Sequence, residues 1–119
     1  MNHKQQLGIK GECDVQEFLK KQKFKIIEKN YKSKWGEVDI IAQKGDLLIF
    51  VEVKTRKNVY FPISKVVNYS KQQKIIKTAK VFIQNKNIYN KICRFDVATV
   101  VSKENNIEID YIENAFQAN

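Results

Sequence analysis

The sequence has few of the residues on which many enzyme classes depend. One histidine (His3) and two cysteines (Cys13 and Cys93) occur among 119 residues. A Ser–His triad and a His- or Cys-ligated zinc site therefore lack their usual base or ligands. Four glycines, widely spaced, cannot form a phosphate-cradling loop or a G-x-G-x-x-G fingerprint. Any chemistry must use carboxylates and lysines.

Long apolar stretches are also missing. The first residues contain no apolar segment of signal-peptide length, and the longest apolar run, Leu47–Val51, is far shorter than the ~20 residues of a membrane helix. We therefore predict a cytoplasmic protein that has no membrane partner and keeps its two cysteines as buried thiols. The length and the 43% hydrophobic content predict a single domain over residues 1–119, ordered from about 7 to 112.

Acidic residues are absent from one long segment. The chain carries a formal charge of +9, yet residues 54–94 hold eleven basic residues and no acid, whereas residues 37–53 are net acidic. With no carboxylate to pair with, the basic segment is expected to face a polyphosphate backbone. Twenty of the 22 basic residues are lysine, which favours recognition of backbone or shape over base-specific contacts.

Hydrophobic periodicity predicts two helices and five strands in the order α-β-β-β-α-β-β, a mixed α/β (α+β) layer structure. The predicted helices are 5–22 and 70–86, and the predicted strands are 24–31, 37–43, 47–54, 92–101 and 107–112. Ser70 and Gln73 form a capping-box pattern at the start of the second helix. The third strand is apolar on both faces, which predicts a central position in the sheet.

Two carboxylates and a lysine are predicted to meet on one strand pair. Glu52 and Lys54 leave the same face of their strand. If Gly45-Asp46 is a two-residue hairpin loop, Asp39 lies opposite Glu52 and Glu37 lies opposite Lys54, with facing side chains about 5 Å apart. Asp39 and Glu52 could then hold one Mg²⁺ or Mn²⁺, with Lys54 orienting the attacking water. An exposed salt-bridge ladder of Glu37 with Lys54 explains the spacing equally well.

This pattern resembles a known family. Asp39 followed by Glu52-Val-Lys54 is similar to the D…(D/E)-x-K motif of the PD-(D/E)xK nuclease superfamily, and the chain from about Gly8 to Ile112 resembles the YraN-like uncharacterised protein family (UPF0102). The segments that carry this resemblance are Gly8-Ile-Lys-Gly11-Glu12, Asn30-Tyr31, Gly36-Glu-Val-Asp-Ile-Ile41, Phe50-Val-Glu-Val-Lys-Thr-Arg56, Lys71 and Arg94-Phe-Asp-Val97.

The resemblance implies a restriction-endonuclease-like αβββαβ core with a mixed central sheet flanked by helices, related to archaeal Holliday-junction resolvases. It also implies a nucleic-acid ligand, with DNA preferred and RNA left as the alternative, a role in recombination or DNA repair, and a homodimer such as resolvases use to cut two strands. Glu12 matches the acid that the first helix of resolvase-like members supplies. It would join Asp39, Glu52 and Lys54 as a catalytic residue, and it would complete the outer metal ligation together with Glu37.

Several basic and aromatic side chains are expected to contact the nucleic acid. Lys71, at the start of the basic helix, could approach a phosphate or could simply be exposed. Trp35 could stack on an unpaired base or form the edge of the core. Arg94 and Asp96, on one face of the fourth strand, are expected to pair with each other. The residues predicted to bind nucleic acid are Arg56, Lys57, Lys71, Lys74 and Lys34.

Three functions compete at this stage. The first is a Mg²⁺- or Mn²⁺-dependent endonuclease acting on DNA, selective for branched or junction structures. The second is a non-catalytic nucleic-acid-binding module, or an adaptor in recombination or repair, that keeps the fold. The third is a protein-interaction domain that uses the acidic carboxyl-terminal segment from Phe95 onward.

Overall fold

The helices and strands of the computed structural model follow the predicted order. The structure describes residues 2–57, 62 and 66–118. Its elements are α1 (His3–Lys21), β1 (Lys25–Ser33), β2 (Gly36–Lys44), β3 (Leu47–Lys57), α2 (Tyr69–Lys86), β4 (Ile92–Lys103) and β5 (Asn106–Phe116). The sheet order is β1-β2-β3-β4-β5, with β3 at the centre as predicted. β3 and β4 are parallel and the other neighbours are antiparallel.

Asparagine side chains start both helices. Asn2 and Gln5 form a reciprocal capping box, so α1 begins two residues before the predicted start. At α2 the predicted cap was wrong, because Asn68 and not Ser70 accepts the hydrogen bond from the Lys71 backbone N–H, at 2.9 Å. Ser70 lies inside the first turn. Asn68 provides the better acceptor because it stands one residue outside the helix with extended backbone angles.

One helix covers each face of the sheet. Phe50 belongs to the core on the α2 side, and its neighbour Val51 belongs to the core on the α1 side. β3 is therefore buried on both faces, as its continuous apolar run predicts. This arrangement of a five-stranded mixed sheet between two helices is compatible with the expected restriction-endonuclease-like fold.

The expectation of buried thiols was wrong. Cys13 and Cys93 are both exposed and unpaired with each other. Cys13 lies on the side of α1 that turns away from the sheet, between the half-buried Glu12 and Asp14. Cys93 stands at the beginning of β4, where α2 has already ended and does not cover it. Within the described residues, neither helix is both long and apolar enough to cross a membrane.

The predicted pairing of Arg94 with Asp96 is confirmed and belongs to a larger network. Arg94 donates two hydrogen bonds to the fully buried Asp96 carboxylate, each 2.9 Å long. The Tyr111 hydroxyl donates to the same carboxylate at 2.5 Å, and the Asn114 backbone N–H donates at 2.9 Å. The network fastens β5 to β4 where their pairing shifts register after Phe95. Its role is structural.

Gly11 allows α1 to approach the central strand closely. Gly11 is buried in α1, and a Cβ atom added there would overlap Thr55 Oγ1 of β3. Since β3 carries the predicted site residues, this contact helps to fix the distance between Glu12 and the strand.

We expect Gly11→Ala to lower the free energy of unfolding by about 1–3 kcal/mol, because the added methyl group overpacks the α1–β3 contact. Gly8→Ala in the same helix is the matched control. No described atom lies within 4 Å of a Cβ added at Gly8, so the better helix propensity of alanine should raise stability by up to ~1 kcal/mol. Urea denaturation checks both values, and equal effects at the two glycines would contradict the close contact.

Candidate active site

The site lies where β2 leaves β3. The predicted hairpin register is confirmed from Lys44–Leu47 to Ile40–Val51. Beyond that pair the alternation of β2 slips, because Val38 packs on the α2 side and Ile40 packs on the α1 side although they are two residues apart. The two strands diverge there, and a cleft opens between β3 and α2.

A carboxylate fills the gap at the point of divergence. Asp39 Oδ2 accepts a hydrogen bond of 2.7 Å from the Val53 backbone N–H. This bond satisfies a donor of β3 after the ladder with β2 has ended, and buried N–H groups rarely lack such a partner. The Asp39 side chain is therefore part of the sheet's own hydrogen bonding.

The predicted rung between Glu37 and Lys54 is wrong. The β2–β3 ladder ends before these residues, because β2 has already turned toward β1. Glu37 instead lies opposite Lys32 of β1, and Lys32 Nζ is 4.0 Å from Glu37 Oε2. Glu37 and Lys54 are therefore not cross-strand partners on β2 and β3.

Asp39 and Glu52 meet as a buried pair, as the sequence predicted. Their exposed fractions are 8% and 5%, and their carboxyl groups share a hydrogen bond. Burial, followed by the charge of Glu52, raises the pKa of Asp39 to about 8, and the Val53 N–H opposes this shift. Two adjoining carboxyl groups with little access to water need either a shared proton or a nearby cation.

The structure supplies one cation from α2. Lys71 Nζ forms an ion pair with Glu52 Oε2. The sequence did not decide whether Lys71 contacts a phosphate or is simply an exposed surface lysine. In the structure it is neither of these alone, because it pairs with Glu52. Asn68, Ser70 and Lys71 line the same cleft as the carboxylate pair, so the positive amino-terminal end of α2 also lies at this cleft.

The cleft above the pair has acidic and basic sides. Its volume is about 490 Å³. Asp39, Glu52 and Lys54 lie on the strand side, and Lys71 and Lys74 lie on the helix side. The other lining residues are Gly36, Glu37, Val53, Asn68, Ser70 and Ile75. Ammonium groups and hydroxyl or amide side chains thus face two carboxylates across one open space, a combination suited to a phosphate group and a metal ion.

Glu12 approaches the pair from α1. It is half-buried, and burial raises its pKa, with smaller contributions in the same direction from Glu37 and Glu52. A hydrogen bond from the Asn30 side chain lowers the pKa of Glu12 and so opposes these effects. A smaller cleft of about 170 Å³ contains Glu12, and Lys54 lines both this cleft and the larger one. Lys54 therefore links the Glu12 side of β3 to the Glu52 side.

Asn30 is a site residue whose role the sequence did not indicate. It adopts a left-handed conformation, with φ of 51°, between the β1–β2 pairs Lys29–Ile40 and Tyr31–Val38. Asparagine tolerates this conformation better than most residues. An Asn-Tyr pair in the middle of a strand was the available signal, because asparagine is uncommon in strand interiors.

The donor set fits a hard divalent ion with two protein ligands. Among residues 2–57, 62 and 66–118, no three Asp, Glu, His or Cys side chains are close enough together to hold a metal ion. Mg²⁺ commonly uses one or two carboxylates and completes its shell with water and substrate phosphate oxygens. A cation would also relieve the repulsion that raises the pKa of Asp39.

Of the remaining residues predicted to bind nucleic acid, two line the clefts and two lie outside them. Lys74 is exposed on the wall of the larger cleft. Arg56 lines the smaller cleft, where its guanidinium donates to the Thr55 carbonyl at 3.1 Å. Lys57 is exposed at the end of β3, and Lys34 lies beside Trp35 at the β1–β2 turn.

Fold and site together define a small α/β domain with a buried carboxylate pair in a lysine-walled cleft. Comparison with known proteins places this domain in a family. Residues 11–100 match the family described as "Uncharacterised protein family UPF0102", and the chain belongs to that family, as its motifs indicated.

Relatives from several bacteria match almost the whole chain. A UPF0102 protein of Dictyoglomus thermophilum is 48% identical over 98% of this chain and 100% of its own length. A UPF0102 protein of Dictyoglomus turgidum is 43% identical with the same coverage. A UPF0102 protein of Caldicellulosiruptor saccharolyticus is 40% identical over 96% of this chain and 99% of its own length.

The raised pKa of Asp39 predicts a pH-dependent difference between the wild type and Asp39→Asn. Folding raises the pKa of Asp39 from its ordinary value of 3.8 to about 8, chiefly through burial, so the folded state binds the extra proton between these values. In metal-free buffer the wild type should lose stability relative to Asp39→Asn as the pH rises from 5 to 8, by at most ~1.4 kcal/mol per pH unit. Urea denaturation across this range measures the difference.

Asp46→Asn is the matched control for this measurement. Asp46 is an exposed carboxylate in the β2–β3 turn, at the other end of the hairpin. Its variant should follow the wild-type slope. If the free energy of unfolding changes with pH by the same slope in the wild type and in Asp39→Asn, the pKa of Asp39 is not raised in the folded protein.

Proposed function

We propose that this protein binds nucleic acid and hydrolyses phosphodiester bonds in DNA with the help of Mg²⁺ or Mn²⁺. The observation that carries the proposal is the buried contact between Asp39 and Glu52 at the floor of a cleft with lysines on its opposite wall. A carboxylate pair of this kind is costly to bury without a cation. A phosphate group is the substrate moiety that the lysine wall would attract.

We propose a separate task for each of the main side chains of the cleft. Asp39 and Glu52 would hold the metal ion, which when bound supplies Lewis-acid activation of the phosphate and lowers the pKa of water. Lys54 would orient the attacking water and stabilise the negative charge that develops on the phosphate. Glu12, held by Asn30 on the other side of β3, would accept hydrogen bonds from water near Lys54.

Lys71 would change partners during substrate binding. It neutralises Glu52 in the structure, and a divalent cation at Glu52 would make that ion pair unfavourable. The lysine would then be available to a phosphate oxygen beside the amino terminus of α2, where backbone N–H groups also favour an anion. Lys71 would therefore contact Glu52 in the free protein and a phosphate oxygen in the complex with substrate.

DNA with a structural irregularity is the proposed substrate. The predominance of lysine over arginine favours backbone recognition, so selectivity would come from the shape of the nucleic acid. This agrees with the resolvase-like resemblance of the motif and with a role in recombination or repair.

Cleavage assays with Asp39→Asn, Glu52→Gln and Lys54→Met test the reaction. Each variant should lower the Mn²⁺-dependent cleavage rate of branched or nicked DNA by about 10²- to 10⁴-fold, because each removes a group that acts on the reacting phosphate or water. EDTA should abolish cleavage by the wild type. Asp46→Asn removes an exposed carboxylate outside the cleft and should retain full activity.

Undiminished cleavage by Asp39→Asn or Lys54→Met would refute this assignment. Circular dichroism and urea denaturation of each variant separate loss of chemistry from loss of folding. A metal titration followed by thermal unfolding adds a second readout, because Mn²⁺ should raise the melting temperature of the wild type but not of Asp39→Asn.

The ion pair between Lys71 and Glu52 favours a second candidate, a nucleic-acid-binding module without catalysis. In this candidate Lys71 compensates Glu52 permanently, and the remaining lysines bind phosphates. It predicts binding that is not weakened in Glu52→Gln and no cleavage with either metal.

Both candidates predict a steep dependence of DNA affinity on salt, because lysines that bind phosphates release counterions from the DNA. Lys74→Ala should reduce the slope of log K against log salt by about one. Lys86→Ala is the matched control, since Lys86 lies in the last turn of the same helix, about 18 Å from Lys74. Fluorescence anisotropy at several salt concentrations measures both slopes, and a flat wild-type response would count against any nucleic-acid function.

A further inference from the structure

The β1–β2 turn carries an exposed aromatic residue, Trp35, directly before a residue that lines the cleft. Trp35 is 42% exposed, so part of the indole is accessible to a ligand, and this exposure favours stacking among its two expected roles. The next residue, Gly36, lines the cleft together with Lys74. Gly36 has a φ of 156°, which favours glycine, and a Cβ there would lie 3.4 Å from Lys74 Cβ. The turn therefore packs closely against α2.

Hydrogen bonds hold this turn in place. The Ser33 and Thr78 hydroxyls are 2.8 Å apart, which ties the end of β1 to α2. The Trp35 backbone N–H donates to the same Ser33 hydroxyl at 3.1 Å. The indole thus projects from a fixed backbone, and a tryptophan side chain has only two rotatable bonds to order on binding.

Two lysines surround the ring. Lys77 Nζ lies 4.4 Å and Lys34 Nζ lies 5.0 Å from the indole centroid. Exposed cation–π contacts of this type contribute about 0.5–1 kcal/mol each, whereas stacking of a base on an aromatic side chain contributes about 1–3 kcal/mol. A base can therefore displace an ammonium group from the ring, and the displaced lysine remains close enough to bind the adjoining phosphate.

We propose that Trp35, flanked by Lys34 and Lys77, is a stacking site for an unpaired base next to the phosphate held in the cleft. A paired base within a duplex has both faces covered by its neighbours, so an unpaired nucleotide is the ligand that fits an exposed indole. This inference rests on the proposed function and specifies its substrate class as DNA in which a single-stranded segment adjoins the phosphate to be cleaved.

Trp35 is the only tryptophan of the chain, which allows a direct test by intrinsic fluorescence. In EDTA, so that no cleavage occurs, oligothymidylate should quench the emission of Trp35. An abasic deoxyribose-phosphate chain of equal length and a blunt duplex should leave the emission unchanged. If saturating oligothymidylate leaves the emission unchanged, the stacking proposal is wrong.

Affinities of variants give an independent measurement. Trp35→Ala should weaken oligothymidylate binding by about 5- to 150-fold, and Trp35→Phe should retain most of the affinity because a phenyl ring still stacks. Tyr89→Ala is the matched control, since Tyr89 is 69% exposed and lies near the start of β4, beyond the carboxyl-terminal end of α2. Duplex binding should be equal in all four proteins, and an equal loss on oligothymidylate and duplex in Trp35→Ala would overturn the stacking site.

The outcome for stacking is separable from the outcome for hydrolysis. Quenching by oligothymidylate without cleavage of any DNA in Mn²⁺ would support the stacking site and refute the nuclease. Cleavage without quenching would refute the stacking site and support the nuclease. If the protein binds neither oligothymidylate nor duplex DNA, both the stacking site and the nuclease are refuted.

Discussion

The hydrogen bond from the Val53 N–H to Asp39 is the contact on which the rest of the site depends. Because of this bond, β2 can diverge from β3 while the Val53 N–H still has a hydrogen-bond acceptor. The divergence opens the cleft, and the same bond fixes Asp39 beside Glu52. One carboxyl group therefore both satisfies a backbone donor of the sheet and takes part in the candidate site, a combination that an apolar side chain could not provide.

The charge of the carboxylate pair determines what surrounds it. Lys71 and the amino terminus of α2 supply positive potential from one side, and Asn30 orients Glu12 on the other. The basic segment of the sequence thus has two uses in the fold. Lys71 forms an ion pair with the buried Glu52, and Lys74 is exposed on the wall of the same cleft.

Much of the architecture could be predicted because it depends on local rules. The alternation of apolar residues and the Gly45-Asp46 turn determined the hairpin register as far as Ile40–Val51, and with it the meeting of Asp39 and Glu52. The error over Glu37 and Lys54 arose because extrapolating a ladder assumes that two strands stay together. The Asn68 cap was missed because Ser70 satisfied the same pattern two residues later.

The sequence by itself determined the order of elements, the central strand, the carboxylate pair and the family, since periodicity, turn residues and motif spacing are properties of neighbouring positions. Only the tertiary structure decided that Lys71 contacts Glu52, that Asn30 supports Glu12 and that Trp35 stands exposed directly before a residue that lines the cleft. These contacts join α1, β1 and α2 to the strands of the hairpin. Their geometry follows from how helices pack on a twisted sheet, which no local pattern specifies.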